Sequence, residues 1–114
     1  MPTPVFSFDA DLLTDAPFEH IRQRLQATKA PAEFRCLRSL GPWSPLEAED
    51  HELCLRWARC RLGTEESGAL IIRPDARGAH LRLEGRMKGW AGILFFGLLR
   101  WRTDRLLDRF VEEL

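Results

Sequence analysis

Residues 69–87 read ALIIRPDARGAHLRLEGRM. Pro74-Asp75-Ala76-Arg77-Gly78 supplies a proline to set the turn and a glycine to leave it. Beyond the turn, Ala79, Leu81, Leu83, Gly85 and Met87 alternate with His80, Arg82, Glu84 and Arg86. One face of that strand is apolar and the other is wet, the period-two pattern of a half-buried strand. A β-hairpin is predicted here. Hairpin-linked strands are antiparallel, and a sheet with one wet face needs helices on the other, so the pattern implies an α+β class.

Upstream, ELCLRWARCRL (residues 52–62) alternates in the same way, with Leu53, Leu55 and Trp57 on one face and Cys54, Arg56, Ala58 and Cys60 on the other. GTEESG (63–68) has turn composition. VFSFDADL (5–12) sets Val5, Ser7 and Asp9 against Phe6, Phe8 and Ala10, a first strand with one buried face. Asp15 then precedes Ala16-Pro17, and Phe18, Ile21 and Leu25 follow at helical spacing, which predicts a short one-sided helix over 17–28. Lys29-Ala30-Pro31 stops it, because proline disfavours helical geometry in the residue before it. EFRCLRSL (33–40) reads as an untidy strand. GPWSPLEAEDH (41–51) reads as a proline- and acid-rich loop in which Trp43 either covers the edge of the core or lids a cavity.

Downstream lies GWAGILFFGLLRWRTDRLLDRFVEEL (89–114). On a helical wheel Leu99, Thr103, Leu106, Leu107, Phe110 and Leu114 share one face, with Gly92, Phe95 and Phe96 above it. Trp90, Leu94, Leu98 and Trp101 form a second apolar stripe on the opposite side. A helix lying on one sheet would turn that stripe to solvent. A symmetric homodimer is the preferred cover, an interfacial membrane contact the second, and the loop around Trp43 the third. Arg105, Asp108, Arg109 and Glu112 would then form a wet rim.

The chain of 114 residues fits one domain, 1–114, with 45% hydrophobic and 30% charged residues. Its formal net charge is zero, which removes the bulk attraction that draws basic proteins to nucleic acid. Charge is nevertheless uneven, with 5 Lys+Arg against 8 Asp+Glu in residues 1–50 and 12 against 9 in residues 51–114. No secretory leader pattern opens the sequence and no apolar run reaches the roughly 20 residues of a transmembrane helix, so a cytoplasmic protein with three reduced cysteines is expected.

Catalytic signals are sparse. His80, Arg82 and Glu84 share a strand face, but alternating charges on a solvated face look the same. His51, Cys54 and Cys60 lack the paired short spacings of a closed zinc site, so no metal is assigned. No phosphate loop, dinucleotide fingerprint, nucleophile elbow or HExxH is present, and neither a cofactor nor a catalytic residue is assigned.

The order strand, short helix, sheet, long helix, together with the ending HLRLEGRMKGWAGILFFGLLRWRTDRLLDRFVEEL (80–114), resembles the helix-grip proteins, the START/Bet v 1-like (SRPBCC) superfamily that includes polyketide cyclase-like and lipid-transfer members. The resemblance implies a curled antiparallel sheet gripping a long C-terminal helix. It also implies an apolar pocket between them that takes a hydrophobic small molecule or lipid, with Leu55, Trp57, Leu83, Met87, Phe95, Phe96 and Leu99 as its lining. The same side chains would equally fill a solid core. In that case the chain would be a protein-interaction module with a helix-mediated homodimer; a polyketide cyclase-like enzyme is a further alternative. This chain departs from the pattern in being shorter, with fewer strands.

Overall fold

A computed structural model describes residues 2–28, 33–38 and 40–114. Among them the order is β1 (Val5–Thr14), α1 (Phe18–Ala27), β2 (Glu47–Glu49), β3 (Glu52–Arg61), β4 (Thr64–Asp75), β5 (Gly78–Lys88), α2 (Gly92–Asp104) and α3 (Leu106–Glu113). The strands form one antiparallel sheet in the order β1-β5-β4-β3-β2. The predicted hairpin turns through Ala76-Arg77 between β4 and β5, and Gly78 leaves it at φ 152°, where a Cβ would lie 2.6 Å from the Thr14 carbonyl oxygen.

The apolar faces read from the sequence build the core. Leu53, Leu55 and Trp57 of β3, Leu70 and Ile72 of β4, and Ala79, Leu81, Leu83 and Met87 of β5 are buried on one side of the sheet. Phe18, Ile21 and Leu25 of α1 and Leu106, Leu107 and Phe110 of α3 pack onto that side. Helical cover is therefore one-sided, and the alternate residues of each strand form an open outer face.

The expected fold is corrected at its C-terminus. In place of one long helix gripped by a curled sheet, the chain makes a 13-residue α2 and an 8-residue α3, divided at Arg105. Neither proline nor glycine marks the break. Thr103 is buried, and its hydroxyl donates back to the carbonyls of Leu99 (3.1 Å) and Arg100 (3.0 Å), while Arg105 sits at φ −104°, ψ −4°. Back-bonding of this kind competes with the helical ladder and bends a helix end. The break lets α3 turn its own face, Leu106, Leu107 and Phe110, into the core.

Three smaller corrections follow. The described residues of the segment, 33–38 and 40, do not form a strand: Arg35–Leu37 is a 3₁₀ turn, and Phe34, Cys36, Leu37 and Leu40 are buried in and around it. Alternation set Cys36 and Leu37 on opposite faces of a strand, whereas the turn buries both in the same core. The 63–68 turn is confined to Leu62-Gly63, and β4 begins at Thr64. The loop at 41–51 contains β2, whose Glu-Ala-Glu sequence carries no strand signal; it is held through pairing with β3 and by Arg22, which donates to the carbonyls of Glu49 (2.6 Å) and Asp50 (2.8 Å). The stop at Lys29-Ala30-Pro31 lies outside the described residues.

The 3₁₀ turn is clamped to the end of α3. The Glu113 carboxylate accepts from the Arg35 N–H (2.8 Å) and the Cys36 N–H (3.0 Å), and Arg24 donates to the Glu113 carbonyl (3.2 Å). Hydrogen bonding from Cys36 holds the Glu113 carboxyl below its usual range, while burial first, and the Glu113 carboxylate second, push the Cys36 thiol up.

Candidate functional site

One row of the sheet has an unusual composition. Phe8, Gly85, Gly68 and Trp57 are direct neighbours across β1, β5, β4 and β3. The outer two residues fold their rings inward over the glycines: a Cβ on Gly68 would lie 2.0 Å from the Trp57 ring, and one on Gly85 would lie 2.1 Å from the Phe8 ring. Aromatic rings laid over strand glycines restore the packing that a missing side chain removes. Trp57 is 1% exposed, and Trp43 closes over it with ring centroids 5.2 Å apart while donating its indole N–H to the Leu37 carbonyl at 2.8 Å. Trp43 thus covers the edge of the core.

Of the side chains assigned to an apolar pocket, Leu55, Trp57, Leu83, Met87 and Leu99 are brought together in the buried core. Phe96 is half-buried and stacks on Phe6 at 5.1 Å, with Phe8 at 6.2 Å. Phe95 does not join them; it is 42% exposed on the far side of α2.

That far side is an exposed apolar surface. Gly92, Phe96, Leu99 and Thr103 turn α2 toward the sheet, and a Cβ on Gly92 would meet the Phe6 ring at 2.9 Å. Opposite them stand Trp90, Leu94, Leu98 and Trp101, the stripe marked in the sequence; Leu94 is 79% exposed and Trp101 60%. Ile93 and Phe95 extend it on both flanks and were missed, because a helix apolar all round gives the wheel no boundary to read. Gly97 lies within this face with nothing within 4 Å of the position its Cβ would take. Arg105 sits over the Trp101 ring at 6.0 Å, and Arg105, Asp108, Arg109 and Glu112 are exposed beyond it. None of the described helices is long and apolar enough to cross a membrane.

The outer face of the sheet carries a second feature, a groove of about 730 Å³. Its floor is small: Ser7, Ala58, Ser67 and Ala69, with the glycine row along it. Its walls are Arg56, Arg82, Arg86, Glu84 and Asp9. Arg82 is committed to three carboxylates, Glu84 (2.6 Å), Asp9 (2.9 Å) and Asp11 (3.1 Å), and His80 meets Asp11 at 2.8 Å. His80 and Arg82 therefore pair across strands with the β1 carboxylates, and Glu84 braces Arg82 from within β5. Arg56 pairs with Glu47 at 3.2 Å. His51, Cys54 and Cys60 do not converge, and among the described residues no group of His, Cys, Asp and Glu could hold a metal ion. Nothing in the sequence singled out the groove, because small and charged residues on a wet strand face are ordinary one by one.

No protein-family model matches the chain, and no curated protein matches it.

Proposed function

We propose that this chain is an interaction module that pairs with a second copy of itself through the exposed face of α2. The observation that carries the reading is the contiguous face of Trp90, Ile93, Leu94, Phe95, Leu98 and Trp101, all large, all exposed, and centred directly away from the core. A contiguous apolar face of this size is of the kind that marks an interaction surface, and a stable interface needs roughly 800 Å² from each partner.

Gly97 favours a second helix over a lipid surface as the cover. Glycine costs about 1 kcal/mol relative to alanine within a helix, and nothing in the monomer packs on this one. A helix crossing at Gly97 would use the open space, whereas a bilayer gains nothing from it. Helices that lie in a membrane interface also combine an apolar face with a strongly charged one, and α2 has no such division. An antiparallel two-fold arrangement about the Leu94–Leu98 midpoint brings the Trp90 end of one helix to the Trp101 end of the other, so one patch is self-complementary.

Sedimentation equilibrium tests this. The wild type is expected to be dimeric at micromolar concentration, and Leu94→Asp/Leu98→Asp monomeric with unchanged circular dichroism, since both side chains are exposed. A wild type that stays monomeric defeats the proposal; one that also binds neutral phosphatidylcholine vesicles assigns the face to a membrane surface instead.

A further inference from the structure

The open face of the sheet is independent of α2, which packs on the covered side. Its groove of about 730 Å³ lies within the roughly 300–1,000 Å³ typical of small-molecule sites. Three arginines wall it, and two are spent: Arg56 on Glu47, Arg82 on Asp9, Asp11 and Glu84. The Arg86 guanidinium has no ion-pair or hydrogen-bond partner among the described residues. The register sets Ser7 of β1 and Ser67 of β4 directly opposite it on either side. Directly opposed residues have Cβ atoms about 4.5–5.5 Å apart, so two hydroxyls flank the base of one arginine whose guanidinium is uncommitted. Ala58 ends this row on β3 and Ala69 lies in the next, and their small side chains leave the sheet surface low and apolar there.

We propose that this groove binds a small organic carboxylate, its anion on Arg86 between Ser7 and Ser67 and its planar body across Ala58 and Ala69. A guanidinium presents a planar fork of donors that matches a carboxylate, and the serine hydroxyls add donors on the groove floor beneath it. Glu84 and Asp9 also border the groove, and although both engage Arg82 they disfavour a second negative charge. A monoanion with a flat apolar body fits this balance better than inorganic phosphate.

Amide-proton correlation spectra of the full chain, titrated with a naphthalene carboxylate, its neutral carboxamide and inorganic phosphate, test the assignment. The carboxylate is expected to shift the Ser7, Ser67, Ala69 and Arg86 amides saturably and to bind at least about tenfold more tightly than the carboxamide. Arg86→Gln, at an exposed position, should keep the wild-type spectrum elsewhere and weaken the carboxylate about 10- to 100-fold, the loss of one charged hydrogen-bonding partner. The proposal is overturned by equal binding of carboxylate and carboxamide, by shifts that map to α2, by phosphate binding as tightly as the carboxylate, by an Arg86→Gln chain that binds unchanged, or by no shift at millimolar carboxylate. Because the probe reports on the sheet, none of these results depends on whether α2 dimerises.

Discussion

Gly68→Ala should be among the most damaging single-methyl additions in this protein. The new Cβ would lie 2.0 Å from Cη2 of Trp57, 2.4 Å from Cζ2 and 2.3 Å from the Glu84 carbonyl oxygen, where ordinary contact begins near 3.4 Å. The indole cannot yield without leaving a site in which it is 1% exposed and capped by Trp43, and the Glu84 oxygen is backbone held in the β4–β5 ladder. Relief therefore requires either ejecting Trp57, which resembles a Trp→Ala core truncation at about 3–5 kcal/mol, or prying strands apart. We expect a loss of about 4 kcal/mol, seen as a drop of roughly 15 °C in Tm at about 4 °C per kcal/mol for this chain length. Gly85→Ala makes an instructive contrast. Its three nearest contacts, 2.1–2.9 Å, all belong to the ring of Phe8, a half-buried side chain on the edge strand β1. It should cost less, about 2 kcal/mol, and Phe8→Ala should suppress part of that cost in the double variant, with a coupling of about 1 kcal/mol or more. Urea denaturation followed by circular dichroism gives both numbers. A Gly68→Ala chain within 1 kcal/mol of wild type, or strictly additive Gly85→Ala and Phe8→Ala, would refute the inward-folded aromatic row.

Gly97→Ala should do the opposite for the monomer: with open space at its Cβ it should raise helix stability by up to about 1 kcal/mol, while weakening self-association if helices cross there; a tighter dimer would contradict the crossing. Glu113 gives a pH test. Its folded pKa lies below the unfolded value of about 4.3, so its contribution is present above that value and is lost as pH falls through the folded one. Glu113→Gln should cost about 1 kcal/mol at neutral pH, and its difference from wild type in urea midpoint should shrink in the acid limb; a gap unchanged at low pH would rule out the carboxylate clamp. Of the three free thiols, exposed Cys60 should react first with an aromatic disulfide reagent in the native state, while Cys36 and Cys54, both buried and both with thiol pKa values pushed up by burial, should lag until denaturation. Equal rates for all three would show that the buried sites are open.

Much of the architecture was legible because its signals are local and periodic. Alternation placed Leu53, Leu55, Trp57, Leu81 and Leu83 on the covered face, the Pro74–Gly78 segment announced the hairpin, and the wheel separated Leu99 and Phe110 from Trp90, Leu94 and Trp101. Such patterns survive into the structure because each strand or helix must bury its own apolar side. What depended on partners was not legible. β2 exists through pairing with β3, the break at Arg105 follows from a buried threonine bonding backward, and Arg35–Leu37 forms a 3₁₀ turn in place of a strand, held by a carboxylate 77 residues away from Cys36. The groove likewise appears only when register aligns Ser7, Arg86, Ser67 and Ala58 in one row and Asp9, Glu84, Ala69 and Arg56 in the next. Period-two alternation assigns a residue to a face, but which residues meet across strands is decided by register, and register is a property of the assembled sheet.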